Sequence, residues 1–121
     1  MLSSNLKEVA SQALTDGLND YENYCGCNLS NEAADKCWDI QLVVSKNKRV
    51  KAYGRCWYTE GKIEIYPHNF KFQRIEDFKD TVLHELAHHI TWVVFGERGH
   101  CGIWKSVCKI IGADHMAKHS K

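Results

Sequence analysis

Leu2, Leu6, Val9, Ala10, Ala13, Leu14 and Leu18 recur at intervals of three and four residues and draw one apolar stripe along the start of the chain. That spacing predicts an amphipathic helix over residues 3–20. Residues 21–36, with Gly26 and several asparagines, read as a loop with a short turn of helix. The period then drops to two. WDIQLVVS at 38–45 is rich in β-branched residues, a second run covers 50–58, and KIEIY at 62–66 alternates strictly, so three strands are expected. Lys46-Asn47-Lys48 and Glu60-Gly61 supply the turns between them, and the simplest arrangement is a three-stranded meander.

Helical spacing returns from 75 to 95, where Phe78, Val82, Leu83, Leu86, Ile90, Val93 and Val94 share a face and Gly96 ends the run. A last helix is predicted over 102–111, with Ile103, Trp104, Val107, Cys108 and Ile111 on one side and Gly112 as its stop. The polar residues 113–121 read as a frayed tail. The pattern as a whole predicts an α+β fold. It consists of one small domain spanning 1–121, in which the sheet packs against an N-terminal helix, a long helix and a C-terminal helix. With 121 residues and 44% hydrophobic content the chain can bury a core of its own.

No apolar run is long enough to cross a bilayer, and the first twenty residues lack the continuous apolar centre of a secretory signal. An intracellular protein, and a monomer, is the expectation. Its six cysteines, without paired C-x2-C spacing, are then expected as reduced thiols. The net charge of +1 is unevenly spread. Residues 1–40 hold two basic and seven acidic side chains, whereas residues 41–75 hold eight basic and two acidic. Lys46, Lys48, Arg49, Lys51 and Arg55, with the aromatics Trp57 and Tyr58, make the 46–55 hairpin a candidate surface for DNA phosphates.

The chemistry concentrates at His84-Glu85-Leu86-Ala87-His88, an HExxH sequence inside the strongest helix. Composition alone would produce such a pattern in about one chain of this kind in fifty. Residues four apart stand one turn above each other on a helix, so two imidazoles can reach one Zn2+, while Glu85 can reach a water beside it. A third ligand is needed. The HExxHxxGxxH pattern fails because Thr91 and Val94 stand where glycine and histidine are required. Glu97 lies in a turn and Asp114 beyond the last helix, which leaves histidines. The five residues after Phe95 can retrace the roughly 10 Å that the helix climbs after His88, and Gly96 and Gly99 permit the reversal. His100 is therefore the expected third ligand. His89 points elsewhere on the helix, and His115 and His119 sit in the polar tail. Three neutral imidazoles would leave the metal its full charge. Glu85 would accept a proton as water attacks a peptide carbonyl and pass it to the leaving amine. KIEIY is a candidate edge for an extended substrate, and Tyr66 and His68 are the candidates to assist the oxyanion.

HELAHHITWVVFGERGHCGIWKSVCKIIGADH, residues 84–115, resembles the SprT-like (Spartan-related) zinc metalloprotease family, in which an HELAH helix precedes a His-Gly-x-x-(Phe/Trp) segment. The likeness extends over about 38–112. It departs where Cys101 separates His100 from Gly102, and a cysteine-rich zinc ribbon common in the family is not seen here. The resemblance implies a zincin fold, one Zn2+ per chain held by His84, His88 and His100, and proteolysis of DNA-bound or DNA-crosslinked proteins. A non-proteolytic nucleic-acid-binding or regulatory module on the same fold is the alternative.

Overall fold

The computed structural model describes residues 6–70 and 75–114 and shows four helices and a three-stranded sheet, an α+β arrangement. Helix α1 (Leu6–Cys25) runs five residues past its expected end. It passes through a 3-10 turn at Gly26–Asn28 into α2 (Asn31–Trp38), so most of the stretch 21–36 is helical where a loop with a short turn of helix was expected. The local cause is Ser30, whose side chain accepts the Ala33 N–H at 3.1 Å and caps α2. Glu32 follows in the first turn, then two alanines. Trp38 consequently ends a helix instead of opening a strand.

Strands β1 (Gln41–Val44), β2 (Gly54–Trp57) and β3 (Lys62–Ile65) are shorter than the sequence runs that contain them. They lie in the order β1-β3-β2, with β1 parallel and β2 antiparallel to β3. This corrects the meander. Only β2 and β3 form a hairpin, through the turn at Gly61 (φ 61°). β1 and β2 are not neighbours, so the basic segment 46–53 is a crossing over the end of β3 and not a hairpin. It is pinned there by His68 Nε2 and Asn69 Nδ2, which donate to the Val50 carbonyl at 2.9 and 3.0 Å, and by the Tyr66 N–H, which donates to Tyr53 O at 2.8 Å. β3 is the central strand. Ile63 and Ile65 are fully buried, and KIEIY offers no free edge.

Helix α3 (Ile75–Ile90) is the centre of the molecule. Every residue from 84 to 90 is buried, a pattern that only a helix covered on all sides can sustain. The first cover is α1, which approaches so closely at Gly17 that a Cβ there would stand 2.7 Å from Leu86 Cδ2 and 2.8 Å from Leu83 Cδ2. The sheet packs on it through Gly54 of β2, and α4 (Gly102–Ile111) through the fully buried Trp104. After Ile90 the helix widens into a π-helical turn, Thr91–Phe95, which ends at Gly96 with φ 72°. α4 ends likewise at Gly112, φ 83°. The first residues of the expected tail are tied down, because Ala113 N–H donates to Cys108 O and Asp114 N–H to Asp80 Oδ1. His115 and His119 lie outside the described residues. Among the described residues no helix is long and apolar enough to cross a membrane.

Candidate metal centre

His84 and His88 lie one helical turn apart in α3, with ring centroids 4.9 Å apart. His100 arrives from the loop between the π turn and α4, its ring 5.3 Å from His84 and 4.9 Å from His88. The three rings thus form a nearly equilateral triangle, and one ring nitrogen from each lies within 4.8 Å of the other two. His100 Nε2 and His84 Nε2 stand 3.4 Å apart. Two nitrogens bound at about 2.0–2.1 Å to one tetrahedral Zn2+ would be separated by about 3.3 Å. The ligand set fits a metal of that size.

Electrostatics point the same way. Burial, then His84 and His100, push the His88 pKa down to about 3. Burial also lowers His100, with a further contribution from Lys105. Three imidazoles this close cannot all carry protons, and neutral imidazole is the form that binds metal. Trp104 holds the triangle from below. It stacks on His88 at 5.2 Å and 20°, and its indole N–H donates to the His84 carbonyl at 3.4 Å.

Glu85 is buried, more so than His88 or the half-buried His100, and Oε2 lies 3.9 Å from His84 Nε2. Burial raises its pKa to about 8, which makes it a strong proton acceptor once ionised. The carboxylate opens into a cavity of about 330 Å3 whose walls include Gly54, Arg55, Trp57 and Tyr58 from β2 and its end, together with His88 and His100. Gly54 is required by this approach. A Cβ there would meet Glu85 Cγ, Ile65 Cδ1 and Thr81 Cγ2, each at 3.1 Å.

Sequence reasoning missed the part played here by Tyr58. Its hydroxyl lies 3.2 Å from His88 Nδ1 and accepts the Gly99 N–H at 3.4 Å. One oxygen therefore joins a ligand on the helix to the residue immediately before His100. The ring packs edge-on against Trp92 of the π turn, and the Arg98 guanidinium lies over both rings, 5.1 Å from Tyr58 and 4.6 Å from Trp92. The loop that delivers His100 is thereby clamped to the end of β2. An aromatic closing a strand was the only signal available in the sequence. Tyr66 and His68 do not line this cavity: Tyr66 is 2% exposed and His68 is spent on Val50. His89 is a structural anchor. Its Nε2 reaches the carbonyls of Lys36 and Cys37 at 3.1 and 3.2 Å, which fastens α2 to the back of α3.

The residues assigned to DNA divide between two places. Arg55 and Trp57 line the metal-site cavity, and Lys62 Nζ covers one face of Trp57 at 5.0 Å. Lys46 and Lys48 line a different cavity at the far edge of the sheet, with Arg49 and Lys51 exposed on the crossing between. Compared with known proteins, residues 23–120, about four-fifths of the chain, match the model of the SprT-like family. No curated protein and no solved structure gave a significant match.

Proposed function

From its membership of the SprT-like family, we propose that this chain is a zinc-dependent peptidase with a zincin-type active site, in which His84, His88 and His100 hold the metal and Glu85 moves the proton. The observation that carries the reading is the histidine triangle with the buried Glu85 carboxylate beside it, of which His88, His100 and Glu85 line one cavity. A Zn2+ held by the three imidazoles supplies Lewis-acid chemistry, making a water more acidic and a carbonyl more electrophilic. Glu85 accepts a proton from the attacking water and returns it to the leaving amine.

The substrate strand pairs with β2. This strand has one neighbour, β3, and residues 54–58 run along the cavity wall, so an extended peptide added to the open edge passes in front of the metal site. Tyr58 and Trp104 fix the ligand geometry while the peptide binds. Arg55 and Trp57, standing in the same cavity, are the residues through which DNA-bound protein substrates would be recognised.

The test combines native mass spectrometry with a cleavage assay on denatured casein, run with and without single-stranded DNA. One zinc per chain and cleavage that Glu85→Gln abolishes while zinc is retained is the expected result. A zinc-loaded wild-type chain that leaves casein uncut both with and without DNA refutes the proposal.

A further inference from the structure

The metal-site cavity lies along β2. At the opposite edge of the sheet, β1 bounds a second and larger cavity of about 640 Å3. Gln41 and Ser45 donate their N–H groups to Gly61 O and Ile65 O of the strand within. Backbone groups along a strand alternate sides, so the N–H and C=O of Leu42 and Val44 face outward. The Leu42 carbonyl accepts Lys7 Nζ at 2.9 Å, a side chain standing where the N–H of a further strand would donate.

The walls are of two kinds. Leu6, Leu42, Val44 and Pro67 are apolar, and Lys7, Lys46 and Lys48 are cationic. Among the described residues no acidic side chain lines the cavity, and none occurs in the sequence between residues 40 and 59. Two of the eight basic side chains of residues 41–75, Lys46 and Lys48, thus stand with Lys7 beside a strand edge that carries apolar pockets.

We propose that the β1 edge is a docking site for an acidic, extended peptide segment of another protein, which adds to the sheet beside Leu42 and Val44. A peptide N–H takes the place of Lys7 Nζ on the Leu42 carbonyl, and other peptide groups pair with the outward groups of Leu42 and Val44. Alternate apolar side chains enter between Leu6 and Pro67, and carboxylates meet the released Lys7 together with Lys46 and Lys48. A nucleic acid would use the lysines and leave the strand edge and the apolar walls unused. The site lies across the sheet from β2, so it holds a partner or the remote part of a substrate without obstructing the metal centre.

The test is fluorescence anisotropy of the full chain with a fluorescein-labelled octapeptide alternating glutamate with valine or leucine. Two further versions are N-methylated at either the odd or the even residues. Saturable binding is expected, weakened at least about tenfold by Lys46→Glu with Lys48→Glu. One N-methylation frame should abolish it and the other leave it nearly intact, because only one set of N–H groups faces β1. Val44→Pro removes an outward donor and keeps the ladder to β3, so it should weaken binding more than Val44→Ala, which also loses the packing of Val44 on the core but keeps the N–H. Three results overturn the proposal. They are no saturable binding, equal binding by both N-methylated peptides, and binding of a DNA duplex through Lys46 and Lys48 in place of the peptide.

Discussion

Replacing Gly54 by alanine places one methyl group where three elements already meet. The new Cβ would stand 3.1 Å from Glu85 Cγ and Thr81 Cγ2 on α3 and 3.1 Å from Ile65 Cδ1 on β3. Each contact is a few tenths of an ångström too short, and no single neighbour can relieve all three. Overpacking of this kind costs about 1–3 kcal/mol. Against it, alanine reduces the freedom of the unfolded chain, which is worth about 0.4–1 kcal/mol. The net loss is about 1–2 kcal/mol, or a fall in Tm of about 3–12 °C for a chain of this size. The steric push also reaches the Glu85 side chain. Displacement of a reacting group by about 1 Å costs about a hundredfold in rate, so a shift of a few tenths should lower kcat/KM about tenfold. The assay pairs thermal melts with cleavage of a quenched peptide. Gly102→Ala is the control, because a Cβ at this first position of α4 meets nothing within 4 Å. Its melting temperature should be unchanged or slightly raised. If Gly54→Ala behaves like Gly102→Ala in both assays, β2 does not press on the Glu85 side chain as described.

Tyr58→Phe removes the oxygen shared by His88 and Gly99; zinc affinity, measured by chelator competition, should fall about 10–100-fold with the fold intact. His100→Ala should lose the metal more completely, with zinc content by mass spectrometry as the readout. The metal-free chain should also show a particular pH dependence of stability. His88, lowered in the folded state to about 3, contributes stability that is present above its usual 6.5 and lost as pH falls towards 3. Glu85, raised from 4.5 to about 8, contributes stability that is present below 4.5 and lost as pH rises towards 8. Below 6.5 the rise from His88, joined by His89 and His100, which burial also lowers, outweighs the fall from Glu85, so melts with chelator present should be highest near 6.5. In Glu85→Gln the decline between 6.5 and 8 should flatten; a decline as steep as in wild type would place its origin elsewhere.

The local patterns were legible from the residues alone wherever the decisive interactions are short-range. The helix around His84 and His88 follows from the 3.6-residue period, α4 ends where Gly112 supplies a positive φ, and the turn at Gly61 joins β2 to β3. Helix α2 was legible too, in Ser30 and the two alanines, but the neighbouring asparagines and Gly26 masked it. The order of the strands was not. Alternation marks a residue as half-buried in some sheet without saying which strand lies beside it, and β1 finds its partner in β3 rather than in β2. That single fact turned the KIEIY strand from an edge into the centre and divided the basic residues between two sites. At the metal centre, chain reach permitted His100 to return, but its placement is held by Tyr58, whose hydroxyl partners lie 30 and 41 residues away in sequence. A sequence fixes what the backbone does over one or two turns. Which distant side chains meet is decided only when the whole core packs, because those contacts become favourable only after the intervening chain has been ordered.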